Sequence, residues 1–338
     1  MVGCVVVRGG DVVGEGWHAE YGGPHAEAAA LDQAGPAAQG ATVYVTLEPC
    51  AHHGKTPPCA DALAEAGVAR VVFGAADPTD KASGGAERLR TAGVEVEGPV
   101  LAPHEARKDD PHFFHRATNS ETPYAAVKLA VSLDGKLSEA PGERTPLTGE
   151  AANRETHRLR AGFDAVMVGG VTARVDDPLL TVRGPVEPRV PPVRVVLDSR
   201  ARIVPEARLF QDVDRAPVWV LHGPHADPAD VRKLEAAGAR TLEVTKGPGG
   251  LELAQVLRVL RREGVGSLLC EGGGTLATAL LAERQVNRLH LLIAPRLLGE
   301  AGVPAFPGAP REDLEGWEPV TEPEGLGRDV HLTLERRA

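Results

Sequence analysis

The sequence is poor in several things that mark whole classes of protein. Four cysteines in 338 residues are too few for a disulfide scaffold, and they point to a reducing, cytoplasmic compartment in which thiols serve chemistry. No apolar run approaches the roughly 18 residues that cross a bilayer, and the N-terminus lacks the basic-then-apolar pattern of a secretory signal, so no membrane partner is expected. Positive charge is in deficit, with 37 Lys and Arg against 47 Asp and Glu and a net charge of −10. Aromatics make up only 4%. A broad nucleic-acid surface needs a positive field and stacking platforms, so nucleic acid is excluded as a general partner. What remains is an ordinary globular composition, 42% hydrophobic and 25% charged, in a chain about twice the ~100–200 residues of one domain. The expectation is a two-domain, small-molecule enzyme.

The first hundred residues alternate β-branched runs with Ala-rich stretches. Strands are expected at Cys4–Val7, Thr42–Leu47 and Arg70–Gly74, with helices beginning at His25, Pro58 and Gly85. Such alternation predicts a mostly parallel sheet covered by helices. The polar stretch Ala117–Pro123 lacks periodicity and sets a linker between a domain at 1–116 and one at 124–338. Beyond it, strands are expected at 124–132, 165–168, 193–198, 218–222, 267–270, 288–293 and 329–334. Helices are expected at 149–161, 229–237, 251–263 and 275–283, and Leu253, Val256, Leu257 and Leu260 fall on one face of the third. Pro-rich stretches at 184–192 and 303–310 read as loops.

The strongest chemistry lies in His25-Ala26-Glu27 and in Pro49-Cys50 with Cys59 nine residues on. One imidazole and two thiolates suit tetrahedral zinc and leave a fourth position for water, the pattern of a catalytic site. Glu27, two residues from His25, can take a proton from that water and pass it to a ring nitrogen and a leaving amine. A helix cap and two buried thiols would explain any one of these residues, but not all of them in this order. Cys4 and Cys270 sit in apolar strand contexts and read as inert core thiols. The zinc deaminases carry this H-x-E and P-C-x-x-C division of labour. The stretch TLEPCAHHGKTPPC, with its expanded loop between the cysteines, and DALAEAGVARVVFGAADP resemble the deaminase half of the bifunctional RibD family of riboflavin biosynthesis. The resemblance implies a cytidine-deaminase-like α/β/α domain with His25, Cys50 and Cys59 on zinc and Glu27 as proton shuttle. It also implies His52, Lys55 and Asp77 near a phosphorylated diaminopyrimidinone. Lys55 reads equally as a phosphate contact or a solvated loop charge. Two departures accompany it. The family's opening helix and Asn-Pro pair have no counterpart before Met1-Val2-Gly3-Cys4, which suggests a start assigned too late. Asp77-Pro78-Thr79-Asp80 lacks a second Asn.

The other half carries KLAVSLDGK at 128–136, HRLRAGFDAVMVGGVTARVDDPLLTVR at 157–183 and CEGGGTLATALL at 270–281. The last reads as strand, glycine turn and helix start, which can present free N–H groups to a phosphate, with Thr275 as a possible cap; a plain strand-to-helix turn reads the same way. Arg160 and Arg183 either clamp a phosphate or are surface arginines. Taken together, these segments resemble the reductase domain of the same family, which implies a dihydrofolate-reductase-like α/β fold, NADPH as hydride donor and a homo-oligomer. On that resemblance the cofactor contacts are Ala130, Thr172, Asp176, Ser199, Gly273, Gly274, Thr275, Leu276, Ala277, Thr278 and Ala279. The substrate contacts are Arg160, Leu180, Arg183 and Glu271, and Asp176 stands near the transferred hydride. The family's Ser-x-Trp is replaced by Arg144-Thr145-Pro146, which removes a flat surface beside the nicotinamide. His112 and His115, flanking two phenylalanines, read as a packing helix between domains. The leading expectation is a bifunctional zinc deaminase and NADPH reductase. The alternative is a reductase whose shortened first domain is a zinc-stabilised structural or dimerising module. A nucleic-acid base deaminase ranks last.

Overall fold

The computed structural model describes residues 2–18, 23–53, 57–79, 83–118, 121–247, 249–309 and 316–337. Lys55, Met1 and Asp80 therefore lie outside the described residues. The chain divides into two compact units, Met1–Asn119 and Ser120–Ala338. No helix among the described residues is long and apolar enough to cross a membrane.

The first unit runs β1 (Gly3–Arg8), β2 (Asp11–Trp17), α1 (Ala26–Ala34), β3 (Thr42–Leu47), α2 (Cys59–Glu65), β4 (Arg70–Ala75), α3 (Gly85–Thr91), β5 (Glu95–Glu97), α4 (Pro103–Asp109) and α5 (Pro111–Thr118). Its sheet has the order β2-β1-β3-β4-β5, with β3, β4 and β5 parallel and β1 antiparallel to both neighbours. Alternate residues of three strands, Cys4 and Val6, Val43 and Val45, Val71 and Phe73, form one buried face. Helices α1, α2 and α3 cover it through Ala26, Ala30, Leu63 and Leu89. The strand β2, absent from the sequence expectations, follows a two-residue turn in which Gly9 and Gly10 take φ of 61° and 96°, the left-handed values such a hairpin requires. Its own glycines then let α1 lie directly on it. A Cβ on Gly14 would come within 2.3 Å of the Ala30 carbonyl oxygen, and one on Gly16 within 2.5 Å of that of Ala26. This close packing fixes the start of α1, where His25 and Glu27 lie. His112 and His115 lie on α5.

The second unit runs β6 (Tyr124–Ser132), β7 (Lys136–Ser138), α6 (Glu150–Ala161), β8 (Ala165–Gly169), α7 (Gly170–Asp176), β9 (Val193–Leu197), β10 (Val218–His222), α8 (Pro228–Ala236), β11 (Ala239–Glu243), β12 (Lys246–Gly247), β13 (Gly250–Leu251) and α9 (Leu253–Arg262). It continues with β14 (Ser267–Cys270), α10 (Gly274–Ala282), β15 (Arg288–Ala294), β16 (Val303–Pro304), β17 (Trp317–Pro319), β18 (Glu324–Leu326) and β19 (Asp329–Arg336). The main sheet has the order β11-β10-β9-β8-β14-β6-β15-β19-β17, parallel from β11 to β15 and antiparallel beyond. The chain leaves β6, steps outward from β8 to β11, and returns through α9 to insert β14 between β8 and β6. The loops after β8 and β14 thus become neighbours at the carboxyl ends of the strands, where open α/β sheets bind ligands. Leu253, Val256, Leu257 and Leu260 of α9 are all buried, as their spacing predicts. The short helix α7 was not expected from sequence, because its GVTARVD begins on glycine and is rich in β-branched residues.

Candidate functional site

In the first unit three ligand-type side chains meet, supplied by two helix starts and the loop that leads into the second. His25 is the N-cap of α1, Cys50 lies early in the loop after β3, and Cys59 opens α2 behind Pro58. The His25 Nδ1 lies 3.2 Å from the Cys59 Sγ and 3.6 Å from the Cys50 Sγ. All three donor atoms fall within 4.8 Å of one another. Tetrahedral zinc, with bonds of about 2.3 Å to sulfur and 2.0–2.1 Å to nitrogen, places such atoms about 3.6 Å apart, so the triangle fits that ion. The backbone N–H of Cys59 donates to the Cys50 Sγ at 3.3 Å. The Cys59 thiol stabilises Cys50 as thiolate and lowers it to about 4, while that same bond and burial push Cys59 upward. Glu27, in the first turn of α1, is only 4% exposed, and burial raises its carboxyl above the ordinary range. That suits a group that must hold and release a proton near neutrality.

The loop carrying Cys50 is clamped by residues the sequence reasoning missed. The Glu48 carboxylate accepts the backbone N–H of Gly84 at 3.2 Å and of Ala86 at 3.1 Å. Gly85 sits so close that a Cβ there would lie 1.7 Å from the Pro49 carbonyl oxygen. The available signal was a carboxylate directly before Pro-Cys. His52, two residues after Cys50 in the same loop, is exposed. The Asp77 carboxylate accepts from the Thr79 backbone at 2.8 Å and its hydroxyl at 2.5 Å, which makes a turn after β4.

In the second unit a buried charge group lies where β6, α6 and β14 converge. Arg160 grips Glu271 with two hydrogen bonds, Nε to Oε1 at 2.5 Å and Nη2 to Oε2 at 2.9 Å, and the Lys128 Nζ stands 3.9 Å from the same carboxylate. Burial alone would raise Glu271, but Arg160 and Lys128 outweigh it and hold the carboxylate ionised. Burial, helped by Arg160, lowers Lys128. Lys128 escaped the sequence reading, although a lone lysine inside the apolar run of β6 was its signal. Arg160 also donates from Nη1 to the Thr181 carbonyl at 2.9 Å, so its guanidinium faces protein on three sides. Arg183 is exposed, and Arg160, Arg208 and Arg144 crowd it with like charge. Such an excess of guanidinium favours an anion.

Next to this group the turn after β14 provides a cradle. The backbone N–H of Glu271 donates to Met167 of β8 at 2.9 Å, and a Cβ on Gly272 would come 2.6 Å from Val168 Cα. Gly273, at φ 65° and ψ 131°, is the N-cap of α10. Thr275, offered from sequence as a cap, instead lies exposed within the first turn, because the glycine carbonyl already begins the helix. A Cβ on Gly273 would meet the Thr172 Oγ1 at 3.0 Å, so α7 and α10 meet edge to edge there. The Thr278 Oγ1 is buried with no hydrogen-bond partner among the described residues. A helix start with a close glycine approach and an orphaned hydroxyl fits the phosphate-bearing part of a dinucleotide. Leu276 reaches toward Gly169, Ala277 is buried, and Ala279 packs against the core. Gly274 leaves a Cβ no room beside the Ala305 carbonyl, at 2.6 Å. Asp176 ends α7 and is raised by burial, against the pull of Arg144. Ala130 sits on β6 opposite Leu292, and Ser199 is exposed after β9. The Leu180 side chain is buried with Val166, Val168 and Ala173, which leaves its main chain as the part able to meet a ligand.

Comparison with known proteins finds relatives of both units. The family model of the RibD C-terminal domain matches residues 123–322, and that of the cytidine and deoxycytidylate deaminase zinc-binding region matches residues 1–75. The riboflavin biosynthesis protein RibD of Escherichia coli is 40% identical over 321 residues, covering 91% of this chain and 85% of its own. That of Mycobacterium tuberculosis is 38% identical and covers 99% and 91%. Among solved structures, Acinetobacter baumannii RibD superposes with a TM-score of 0.85 at 35% identity, over 100% of this chain and 92% of its own. A Thermotoga maritima diaminohydroxyphosphoribosylaminopyrimidine deaminase/5-amino-6-(5-phosphoribosylamino)uracil reductase gives 0.82 at 30% identity, over 99% and 91%. The chain belongs to the bifunctional RibD family of riboflavin biosynthesis, with a cytidine-deaminase-like zinc-binding domain followed by a RibD reductase domain.

Proposed function

We propose that the two sites perform consecutive reactions on one phosphorylated pyrimidine. The first deaminates 2,5-diamino-6-(ribosylamino)pyrimidin-4-one 5′-phosphate to the uracil form. The second reduces the ribosyl group to a ribityl chain with NADPH. The reading rests on a three-donor metal triangle beside a buried glutamate on the same chain as a buried carboxylate–guanidinium–ammonium group at a dinucleotide-type turn.

His25, Cys50 and Cys59 would hold zinc, which supplies Lewis-acid activation of a water when bound. Glu27 accepts one proton from that water and delivers it to the ring nitrogen, then takes the second from the added hydroxyl and gives it to the departing amine, so that water and the amino compound become carbonyl and ammonia. His52 and Asp77 would line the substrate side. In the second unit the cradle at residues 273–279, with Ala130, Thr172 and Ser199, would hold NADPH, whose nicotinamide supplies hydride to the ribose C1. Glu271, kept ionised, offers an acceptor to the amino and imino edge of the pyrimidine, and Lys128 beside it offers a donor to a carbonyl. Arg183 faces the phosphate, with Arg160 fixing the wall behind it. Asp176 at the end of α7, raised by burial, would serve as a proton-handling group.

The test is direct. Zinc-loaded protein given the diaminopyrimidinone nucleotide should release ammonia and then oxidise NADPH, followed by absorbance. NADPH oxidation on the deaminated substrate without ammonia release from the amino form would reduce the chain to a reductase. Absence of both activities would overturn the proposal.

A further inference from the structure

The reductase reading leaves His157 without a task, yet its geometry is specific. It lies on α6 one turn before Arg160 and is half-buried. Its Nδ1 accepts the backbone N–H of Arg183 at 3.1 Å. The segment it holds has an unusual backbone. Leu180 takes φ 55°, a left-handed value that a branched side chain rarely adopts, and its side chain is fully enclosed in the core. Strain of this kind persists only where the surroundings over-determine the chain.

Here the surroundings are side chains bonded to successive main-chain groups. Arg194, wholly buried, donates from Nη1 to the Leu179 carbonyl at 3.2 Å. Arg160 donates to the Thr181 carbonyl at 2.9 Å. The Arg183 Nη1 reaches back to the Thr181 Oγ1 at 3.0 Å. His157 closes the series at Arg183 itself. Arg194 and Arg160 fix the segment before the exposed arginine, and His157 fixes that arginine's own backbone.

We infer that His157 is a positioning residue of the reductase site, whose Nδ1 sets the main chain of Arg183 and so aims its guanidinium at the anionic end of the substrate. The inference rests on the reductase reading above. The acceptor role needs Nδ1 unprotonated. Burial, with Arg160 and Arg183 nearby, lowers the ring to about 4, against the opposing pull of Glu271 and the Thr181 backbone, so the neutral form prevails at physiological pH. A hydrogen bond of this sort is worth a few-fold in an equilibrium, and a misplaced anchor acts on binding more than on hydride transfer.

The experiment compares H157F, which keeps the ring's bulk without an acceptor, with H157N, whose amide oxygen can occupy the Nδ1 position. Reduction of the deaminated phosphorylated substrate is measured with each, together with inhibition by ribose 5-phosphate as a probe of the anion site. H157F should raise KM for the substrate and Ki for ribose 5-phosphate about five- to ten-fold, leaving kcat and the KM for NADPH near wild type. H157N should recover most of that loss. An H157F enzyme with unchanged KM, or one losing only kcat, would overturn the assignment, as would an H157N enzyme no better than H157F. If H157F does not fold, H157L takes its place, and failure of both would make the residue structural and equally overturn it. Inactive wild-type enzyme would instead refute the reductase reading, so the two failures are distinguishable.

Discussion

The two units build their sites in opposite ways. In the first, the chemistry is carried by rare residue types in two short segments, 25–27 and 48–59, and the fold has only to bring two helix starts and one loop together. In the second, common residues from separate segments between Lys128 and Ala279 become a site only because β14 is inserted between β6 and β8. A metal site needs particular donors at fixed separations, so its composition announces it. A site made of charge pairs and turns is announced by topology, which no short window contains.

The sharpest way to break this comparison is to remove the first site and look for harm in the second. C59A takes away one of three donors, and E27Q leaves the donors but removes the proton carrier. C59A should lose both zinc, by metal analysis, and ammonia release. E27Q should keep zinc and lose ammonia release by about 10²–10⁴-fold. NADPH oxidation on the deaminated substrate should persist in both. Its collapse in E27Q would show that the units do not act as separable catalysts.

Legibility follows the same line. His25, Glu27, Cys50 and Cys59 are visible in sequence because ligand identity is the signal, and the structure draws the three donors together. The strands are visible because their apolar runs are long, and the buried face of α9 because its spacing is helical. The hairpin partner β2 was hidden although Gly9-Gly10 announces its turn, since Asp11–Trp17 lacks a continuous apolar run. Helix α7 was hidden because tertiary placement between β8 and Asp198 overrides poor propensity. Lys128 and His157 were hidden for a different reason. Their partners, Glu271 and the main chain of Arg183, are 143 and 26 residues away, and only the folded chain pairs them.

The second site can be broken at its centre. E271A strands Arg160 and Lys128 without their carboxylate in a buried place. Removing one partner of such a group costs about 3–5 kcal/mol, so the second unit should unfold at clearly lower denaturant, and reduction should vanish. Zinc content should not change. A smaller effect belongs to the cradle. Gly273 holds a backbone conformation that only glycine takes easily, and a Cβ there meets Thr172. G273A should cost about 1–3 kcal/mol and raise the KM for NADPH more than that for the pyrimidine. Equal effects on both would mean that the turn serves the fold and not the cofactor.

The smallest effect separates the units by pH. In the second unit burial keeps His290, His331 and His157 below the ordinary histidine value of about 6.5. His290 Nδ1 lies 3.0 Å from His331 Nε2, and His331 faces Glu155 at 3.7 Å, with Glu324 also favouring its charge and Arg158 and Lys128 opposing it. Below about pH 6.5 the unfolded chain binds protons at these rings that the folded unit refuses, for His157 down to about pH 4. Stability is therefore full above about pH 7 and falls as the pH drops through that window, gently, since each ring contributes at most one proton and His157 is half-exposed. The first unit depends instead on deprotonated zinc ligands, so a chelator should lower its transition at constant pH. Calorimetry at pH 7.5 and 5.5, with and without chelator, reads both. A chelator that moved the second transition as far as the first, or a second transition that held its temperature from pH 7.5 to 5.5, would remove the distinction between a unit held by donors and a unit held by buried charge.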